Sequence, residues 1–373
     1  MAVLSLSPSK SSANSLEDMV GVGGRSKAMG GVGTALGTDL SAVYYNVANL
    51  AFGQESTLSI GYNHIGYDLY VKGELEDPSM EATRPRDYVT LGLSLLLPLD
   101  LSFGMMLNLA PNVPQYFDQG SPDPSPRFVM YGQRLEQISF MVGFAYKLMD
   151  NLSIGVSTAA LANSNLDIEN SIPIITEGVP TENRFAWTLE PNMAYYLGLH
   201  YRPSPEFHLG MSYRTSLFHK MEADAVTSVH AGGIPLDLNM LFEVYSWYSP
   251  AQLAIGATYL PSADWVVAWD LTWYDWSRYP GPFLRVSPAQ DPALATILEY
   301  EEYKSPKFKD VLVPRFGLEV KPLDGIALRA GYSYRFSPAP LPSTDQNILD
   351  SDMHITTAGL GYRFEYSKGS RQI

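Results

Sequence analysis

Apolar and polar residues alternate along much of the chain. Between Ile326 and Phe336, one parity is apolar or aromatic and includes Leu328 and Tyr332, whereas the other is polar or small. Such a period of two is typical of a β-strand whose two faces meet different surroundings. Comparable segments are 101–109, 152–156, 209–215, 253–259, 265–274, 314–320 and 356–366. The pattern predicts an all-β chain.

Short and long connections between these strands also alternate. Turn residues cluster at 98–100, 149–151, 202–206, 261–264 and 321–325, and longer connections occupy roughly 73–86, 110–130, 164–184, 217–248, 277–310 and 337–352. Strands of about ten residues with short turns at one end and long loops at the other are typical of a bacterial outer-membrane barrel. We count twelve strands after residue 55 and predict a transmembrane antiparallel β-barrel.

A soluble β-sandwich or propeller is the alternative, in which alternation would separate core from water. Two features favour the barrel. The apolar parity is rich in Tyr and Trp near strand ends, and the polar parity mixes charges with Gly and Ser, which suits a crowded, wet lumen. We therefore expect Trp265, Trp269, Trp273, Leu328 and Tyr332 to face lipid. Facing the lumen we expect Asp270, Arg329, Arg335 and Arg363.

Composition excludes several other classes. The chain is 46% hydrophobic and only 17% charged, and its formal net charge of −14 disfavours nucleic acid as a partner. It has no cysteine, so neither a disulfide framework nor a thiolate metal site is available. No run of 18 apolar residues occurs, which excludes a helical membrane protein.

The first 55 residues follow a different pattern. The stretch from Gly21 to Leu50 is too rich in glycine and too irregular for a membrane strand. Its glycines lack the spacing and the preceding strand of a phosphate-binding loop. A compact segment inside a barrel would need such glycines, because its backbone must pass close to inward-pointing side chains. We therefore divide the chain into an N-terminal hatch, 1–55, and a barrel, 56–373.

Three places in the sequence resemble one known family. The hatch contains Arg25, Ala28-Met-Gly-Gly31, Asp39-Leu-Ser-Ala42 and Asn46-Val-Ala48; later come Trp273-Tyr-Asp-Trp-Ser277 and Leu328-Arg-Ala-Gly-Tyr332, followed by Ser337-Pro-Ala-Pro340. Together they resemble the FadL/TodX outer-membrane transporters of hydrophobic compounds. Two features depart from that family: Val47 replaces its proline, and the family has fourteen strands rather than twelve.

The resemblance implies passive uptake of long-chain fatty acids or aromatic hydrocarbons through a plugged barrel with lateral release. The hatch positions that it singles out are Arg25, Gly30, Gly31, Asp39, Asn46 and Ala48. Ligand would land on apolar residues of two long loops: Ile172, Ile174 and Ile175 in one, and Leu238, Met240, Leu241 and Phe242 in the other. The gap for release lies beside the third strand, where Gly104 is the position at which a bulge costs least.

Two of these expectations have plain alternatives. The loop residues could simply pack onto the barrel rim. A carboxylate head group could be bound by Arg329, Arg335, Arg315 or Arg214, since Arg recognises carboxylates with two parallel hydrogen bonds. Glu319, Asp270 and Glu365 share their face, however, which favours paired structural charges.

We expect no enzyme, because the six histidines have no metal-ligand spacing and no serine nucleophile motif occurs. The alternative function is an accessory barrel of a protein secretion system. Expected partners are a hydrophobic small molecule and outer-membrane lipid, with no cofactor and no metal, and the protein is expected to be a monomer in the bacterial outer membrane.

Overall fold

A computed structural model describes residues 3–4, 18, 21–66, 86–109, 139–173, 183–231, 234–281, 285–288, 305–341 and 348–364. Helices are short: α1 (Gly24–Ala28), α2 (Ser41–Tyr45) and the 3-10 helices Val47–Phe52 and Trp276–Arg278. No helix among the described residues has the length and apolar character needed to cross a membrane. We call residues 21–53 the plug.

Among the described residues, sixteen strands make up one sheet. They are β1 (Val3–Leu4), β2 (Thr57–Ile65), β3 (Arg86–Leu96), β4 (Leu101–Leu109), β5 (Ser139–Met149), β6 (Leu152–Pro173), β7 (Asn183–Ser204), β8 (Phe207–Arg214), β9 (Leu217–Ala231), β10 (Ile234–Ser249), β11 (Gln252–Ser262), β12 (Trp265–Tyr274), β13 (Arg285–Pro288), β14 (Val311–Leu323), β15 (Ile326–Arg335) and β16 (Met353–Tyr362). Twelve of them form an antiparallel meander in the order β2-β3-β4-β5-β6-β7-β8-β11-β12-β14-β15-β16. The meander has the twelve strands that were predicted, and β9, β10 and β13 are described strands that the prediction did not include.

Burial along these strands follows the predicted alternation of apolar and polar residues. In β12, the even-numbered residues Val266, Ala268 and Asp270 are buried, whereas the odd-numbered residues Trp265 and Val267 are exposed. The alternating pattern of β15 likewise leaves Leu328 exposed and buries Arg335. One face of the meander therefore carries a band of exposed apolar side chains, which suits lipid, and the other faces the lumen. Arg363 lies just beyond β16 and is exposed.

The meander curls round the plug. Lys27 of helix α1 donates hydrogen bonds to Asn63 of β2 and to Tyr88 of β3. Two residues earlier, Arg25 donates to Glu319 of β14, and Thr357 of β16 donates to the Ala28 carbonyl. One helix of five residues thus reaches strands at both ends of the meander, so the sheet curls round the plug as the wall of a barrel does.

Two predicted loops are extended strands. The segment 217–248, expected to be a loop, is the β9–β10 hairpin, and 164–184 contains the outer parts of β6 and β7. Strand β9 pairs in parallel with β6 from Ser164 to Pro173, and β13 pairs with β10. We call this extension, in the order β7-β6-β9-β10-β13, the side sheet. The predicted loops at 73–86 and 110–130 lie almost wholly outside the described residues.

Candidate functional site

A belt of glycines brings the barrel wall against the plug. It consists of Gly92, Gly104, Gly143, Gly155, Gly198, Gly210, Gly256, Gly317 and Gly331. At each of these positions, a Cβ would come within 3.0 Å of a plug atom. Eight of them face each other in cross-strand pairs, such as Gly104 with Gly143 and Gly317 with Gly331. The wall therefore has no side chains at these positions, and backbone and side-chain atoms of the plug pack directly against it.

Two asparagines fix the shape of the plug. Asn46 accepts a hydrogen bond from the Ala48 backbone N–H at 3.2 Å and donates to the carbonyl oxygens of Thr34 and Leu199 at 2.7 and 2.9 Å. Asn49 donates to the Gly33 carbonyl at 2.9 Å and contacts His200. The side chain of Asn46 thus begins the 3-10 helix without the proline of the family motif.

The other hatch residues meet the wall or shape the plug. Gly30 and Gly31 have φ angles of +74° and +81°, which favour glycine. Gly30 donates to Thr357 at 2.9 Å. Asp39 accepts hydrogen bonds from the backbone and side chain of Ser41 at 3.0 and 2.5 Å, at the start of α2. Ala48 is fully buried beside Gly155 and Gly198. Their functional roles stay predictions.

Buried carboxylates clamp the plug to the barrel. Glu319 binds Arg25 of the plug at 2.8 Å and Arg329 of β15. On the neighbouring strand β12, Asp270 accepts hydrogen bonds from the Gly33 and Thr34 backbone N–H groups at 2.7 and 3.0 Å. The structure therefore favours the structural alternative for Arg329, whose guanidinium is engaged in an ion pair.

Gly104 has a different environment from the one expected. Strand β4 pairs with β3 and β5 without a register shift, so the bulge expected at this glycine is absent from the described strand. A Cβ there would lie 2.5 Å from Val43 and 2.6 Å from Leu50. Close approach of the plug explains this glycine, and its gating role remains a prediction.

The side sheet brings the two apolar segments together. Its register aligns two rows of residues across all five strands, and strand parity assigns both rows to one face of the sheet. The rows are Phe185, Ile168, Ala225, Met240, Pro288 and Trp187, Leu166, Ala223, Phe242, Val286. Ile172 aligns with Val229 on that face, and so does Leu238 by its parity in β10. Ile174 and Ile175 lie outside the described residues.

Leu241 does not belong to that face. It is aligned with Asp224 and Ser287, one position out of phase with Met240 and Phe242. The face of Leu241 is mainly polar: Lys220 bridges Glu222 at 2.6 Å and Glu243 at 3.3 Å. Leu241 and Phe242, both expected to contact ligand, are thus out of phase along the strand, because adjacent residues of a strand alternate between its two faces. Their role in ligand binding stays a prediction.

The apolar face of the side sheet continues the outer face of the barrel. Strands β6 and β7 pair without a register shift from Leu152 to Asn170, so parity is preserved along β6. Leu166 and Ile168 have the parity of Ile154 and Val156, which are exposed on the lipid-facing side. The parity of the lipid-facing residues of β6 thus continues past the membrane strand into the side sheet.

An aromatic cluster occupies the same end of the barrel. Trp276 is 1% exposed and packs against Tyr248, Tyr279 and Phe308. Ala339 packs against the cluster from the Ser337-Pro-Ala-Pro340 segment, and the Lys309 backbone N–H donates to the Pro338 carbonyl at 2.9 Å. The two barrel motifs that resemble the family, Trp273–Ser277 and Ser337–Pro340, thus pack together at the long-loop end.

The sequence analysis did not predict several contacts of the plug. Lys27 and Asp18 were not singled out, and neither was the glycine belt. A signal for the belt exists, since nearly every strand has one glycine on its polar parity. Nothing in the sequence marks Asp18. In the part of the chain that the structure describes, no group of His, Asp and Glu residues is placed to hold a metal ion.

The fold and its interior define a class: an outer-membrane β-barrel whose lumen is filled by an N-terminal plug. The model of the family "Outer membrane protein transport protein (OMPP1/FadL/TodX)" matches residues 3–369. The chain belongs to this family of outer-membrane transport proteins, as the resemblance in its sequence indicated.

Known proteins with a similar sequence or fold come from the same group. Alkane uptake protein A of Marinobacter nauticus is 23% identical over 352 residues, which cover 88% of this chain and 75% of that protein. A FadL homologue of Pseudomonas aeruginosa has 15% identity and a TM-score of 0.55, covering 97% of this chain and 88% of its own. The toluene transporter TodX of Pseudomonas putida has 17% identity and a TM-score of 0.50, with 92% and 89% covered.

Proposed function

We propose that this protein takes up hydrophobic small molecules across the outer membrane by passive transport. The observation that carries the proposal is the two-faced side sheet at the long-loop end, above a lumen closed by the plug. An apolar face beyond the membrane strands is costly in water unless it is covered or used to bind. Similarity to an alkane uptake protein and to a toluene transporter supports the same class of substrate.

In this mechanism, an apolar molecule first binds the face that contains Leu238, Met240 and Phe242. That face continues the outer side of the barrel wall, so the molecule then has to pass the rim at the long-loop end to enter the lumen. The plug then has to move for the molecule to pass, since the glycine belt leaves the plug in direct contact with the wall. Release occurs on the other side of the plug. The matches favour uptake over the secretion-accessory function.

Uptake by whole cells tests the capture step. We would replace Met240 and Phe242 with Ser and measure initial uptake of labelled hexadecane and of labelled toluene at equal surface expression. Each side chain offers about 1.5–3 kcal/mol if ligand buries it fully, so we expect uptake at low substrate concentration to fall at least tenfold. The matched control replaces Asp237 and Asn239 with Ser, since they lie in the same strand on the opposite face.

The control variant should transport at the rate of the unmodified protein. Equal loss in both variants would show that β10 matters for folding rather than for capture. Unchanged uptake in the Met240 and Phe242 variant would contradict the capture face. No uptake of either compound above that of cells lacking the protein would contradict the proposed function as a whole.

A further inference from the structure

Strand β2 has an open edge. Among the described strands it pairs with β3 alone, whereas β16, at the other end of the meander, pairs with both β15 and β1. The outward residues Leu58 and Ile60 of β2 are 77% and 75% exposed. Leu253 and Ile255, on the outer face of β11 between two neighbouring strands, are only 40% and 43% exposed. The difference is the one that a missing neighbour on one side produces.

Such an edge is costly in a membrane. Hydrocarbon offers no hydrogen-bond partner, so a spanning sheet satisfies its backbone only where each strand has a neighbour on both sides. The plug does not supply that neighbour, because its helix α1 lies on the lumen side of the wall. There Lys27 binds Asn63 of β2, and Ala28 accepts a hydrogen bond from Thr357 of β16. Strand β2 therefore requires a further strand in the wall.

Strand β1 occupies the place beside β16. Val3 is aligned with Gly359 and Leu4 with Ala358, on the edge of β16 that is turned away from β15. This alignment excludes direct pairing of β16 with β2 at these two positions. The next strand along the wall after β1 is then β2, at the other end of the meander.

The two residues of β1 have the parity of a wall strand. Leu4 lies on the same face as Ala358 and the exposed Leu360, which is the lipid-facing side. Val3 lies on the opposite face, together with Thr357, whose hydroxyl donates to the plug. Leucine towards lipid is what the other strands of the barrel also present.

The direction of β1 fits the same place. It is antiparallel to β16, which runs away from the long-loop end, so β1 runs towards that end. Asp18, the next residue that the structure describes, lies there. Its buried carboxylate binds Arg214 and accepts hydrogen bonds from Ser249 at 2.7 Å and from Gln252 at 3.0 Å, at the long-loop ends of β8, β10 and β11. The chain has thus reached the long-loop end of the lumen when the plug begins.

We propose that β1 is a thirteenth strand of the barrel wall, which fills the space between β16 and β2 and closes the barrel. Because β2 also runs towards the long-loop end, β1 pairs with it in parallel, and the wall has an odd number of strands. The plug, which lies between β1 and β2 in sequence, is then a connection between two wall strands and is anchored at both ends. It can rearrange in the lumen but cannot leave it. The inference does not depend on which molecule the protein transports.

Disulfide cross-linking in isolated outer membranes tests the position of β1. The chain has no cysteine, so engineered residues are its only thiols. We would combine Leu4→Cys in turn with Leu58→Cys, Ile60→Cys and Tyr62→Cys on the outer face of β2, oxidise with copper phenanthroline, and identify linked peptides by mass spectrometry. Neighbouring strands lie about 4.8 Å apart, and a disulfide needs Cα atoms closer than about 7 Å. We expect one of the three pairs to form a disulfide within the chain in high yield.

Ala358→Cys combined with the same three positions of β2 is the matched control. With β1 in between, two strand spacings of roughly 10 Å separate β16 from β2, so the disulfide yield should be at least tenfold lower than for the best Leu4→Cys pair. Leu4→Cys with Ala358→Cys joins two aligned residues and should form a disulfide in high yield. Folding of each variant is checked by the resistance of the barrel to unheated SDS.

Four results would overturn the proposal. Disulfides between Ala358→Cys and β2 would show that β16 and β2 pair directly. Failure of Leu4→Cys to react with Ala358→Cys would place β1 outside the wall. Failure of Leu4→Cys to react with any of the three positions of β2 would leave that edge to another partner. Disulfides that join two molecules rather than two strands of one chain would assign the edge of β2 to a second copy.

Discussion

Single glycines decide how closely the barrel wall approaches the plug. At Gly317, a Cβ would lie 2.6 Å from the Met29 carbonyl oxygen and 2.9 Å from a Val32 methyl carbon. The nearest obstacle is backbone, which cannot rotate away. Glycine is required there because another chain segment passes against the strand, although the strand itself would be more stable with a side chain.

Gly317→Ala should therefore displace the plug locally. Forcing one methyl group into a filled site costs about 1–3 kcal/mol. The free energy of unfolding, measured by urea titration in lipid vesicles, should fall by that amount. Gly61→Ala is the control: it lies on the lumen parity of β2, and its Cβ would meet Thr90 only at 3.8 Å. Its stability should change by less than about 0.5 kcal/mol, and equal losses at both sites would contradict the belt.

The sequence reveals these glycines but not their partners. Their parity and their regular occurrence are visible in each strand, so a close approach on the lumen side is predictable. What approaches is determined by how the plug folds, which depends on contacts such as Asn46 with Leu199 and Asp270 with Thr34 that join distant parts of the chain. Asp18 illustrates the same limit, since a lone acidic residue carries no periodic signal.

Individual strands follow the alternation because lipid and lumen impose it. Leu328 is 50% exposed on the outer face of β15. Leu328→Arg should reduce the free energy of unfolding by roughly 2–4 kcal/mol if the position lies near the bilayer midplane. Leu323→Arg, next to the turn between β14 and β15, should cost about 0–1 kcal/mol because that position is near the interface. Equal costs measured in a reversible folding assay would contradict lipid exposure at Leu328.

The strands of the side sheet could be predicted from the sequence pattern, but their pairing could not. Leu236, Leu238, Met240 and Phe242 alternate with mostly polar residues, so β10 could have been predicted from its period. We expected a loop because neighbouring segments explained twelve membrane strands without it. The parallel pairing of β9 with β6 is not predictable from either strand alone. The register then shows that Leu241 is one position out of phase with Met240 and Phe242.

For the whole molecule, the plug is held by the full circuit of the barrel wall. All twelve meander strands contact the plug: nine through the glycine belt, and β2, β12 and β16 through Asn63, Asp270 and Thr357. The sequence predicted a plug from its glycines and irregularity. The division into hatch and barrel stays a prediction, and so does the monomeric state.

The most direct test of this account is the conductance of planar bilayers containing the unmodified protein or a variant lacking residues 20–50. The account predicts a closed barrel for the unmodified protein and discrete, lasting conductance steps for the variant, because removing the plug leaves an open lumen. Folding of both proteins would be confirmed by circular dichroism before insertion. Equal conductance of the two proteins, whether both closed or both open, would show that this segment does not close the barrel.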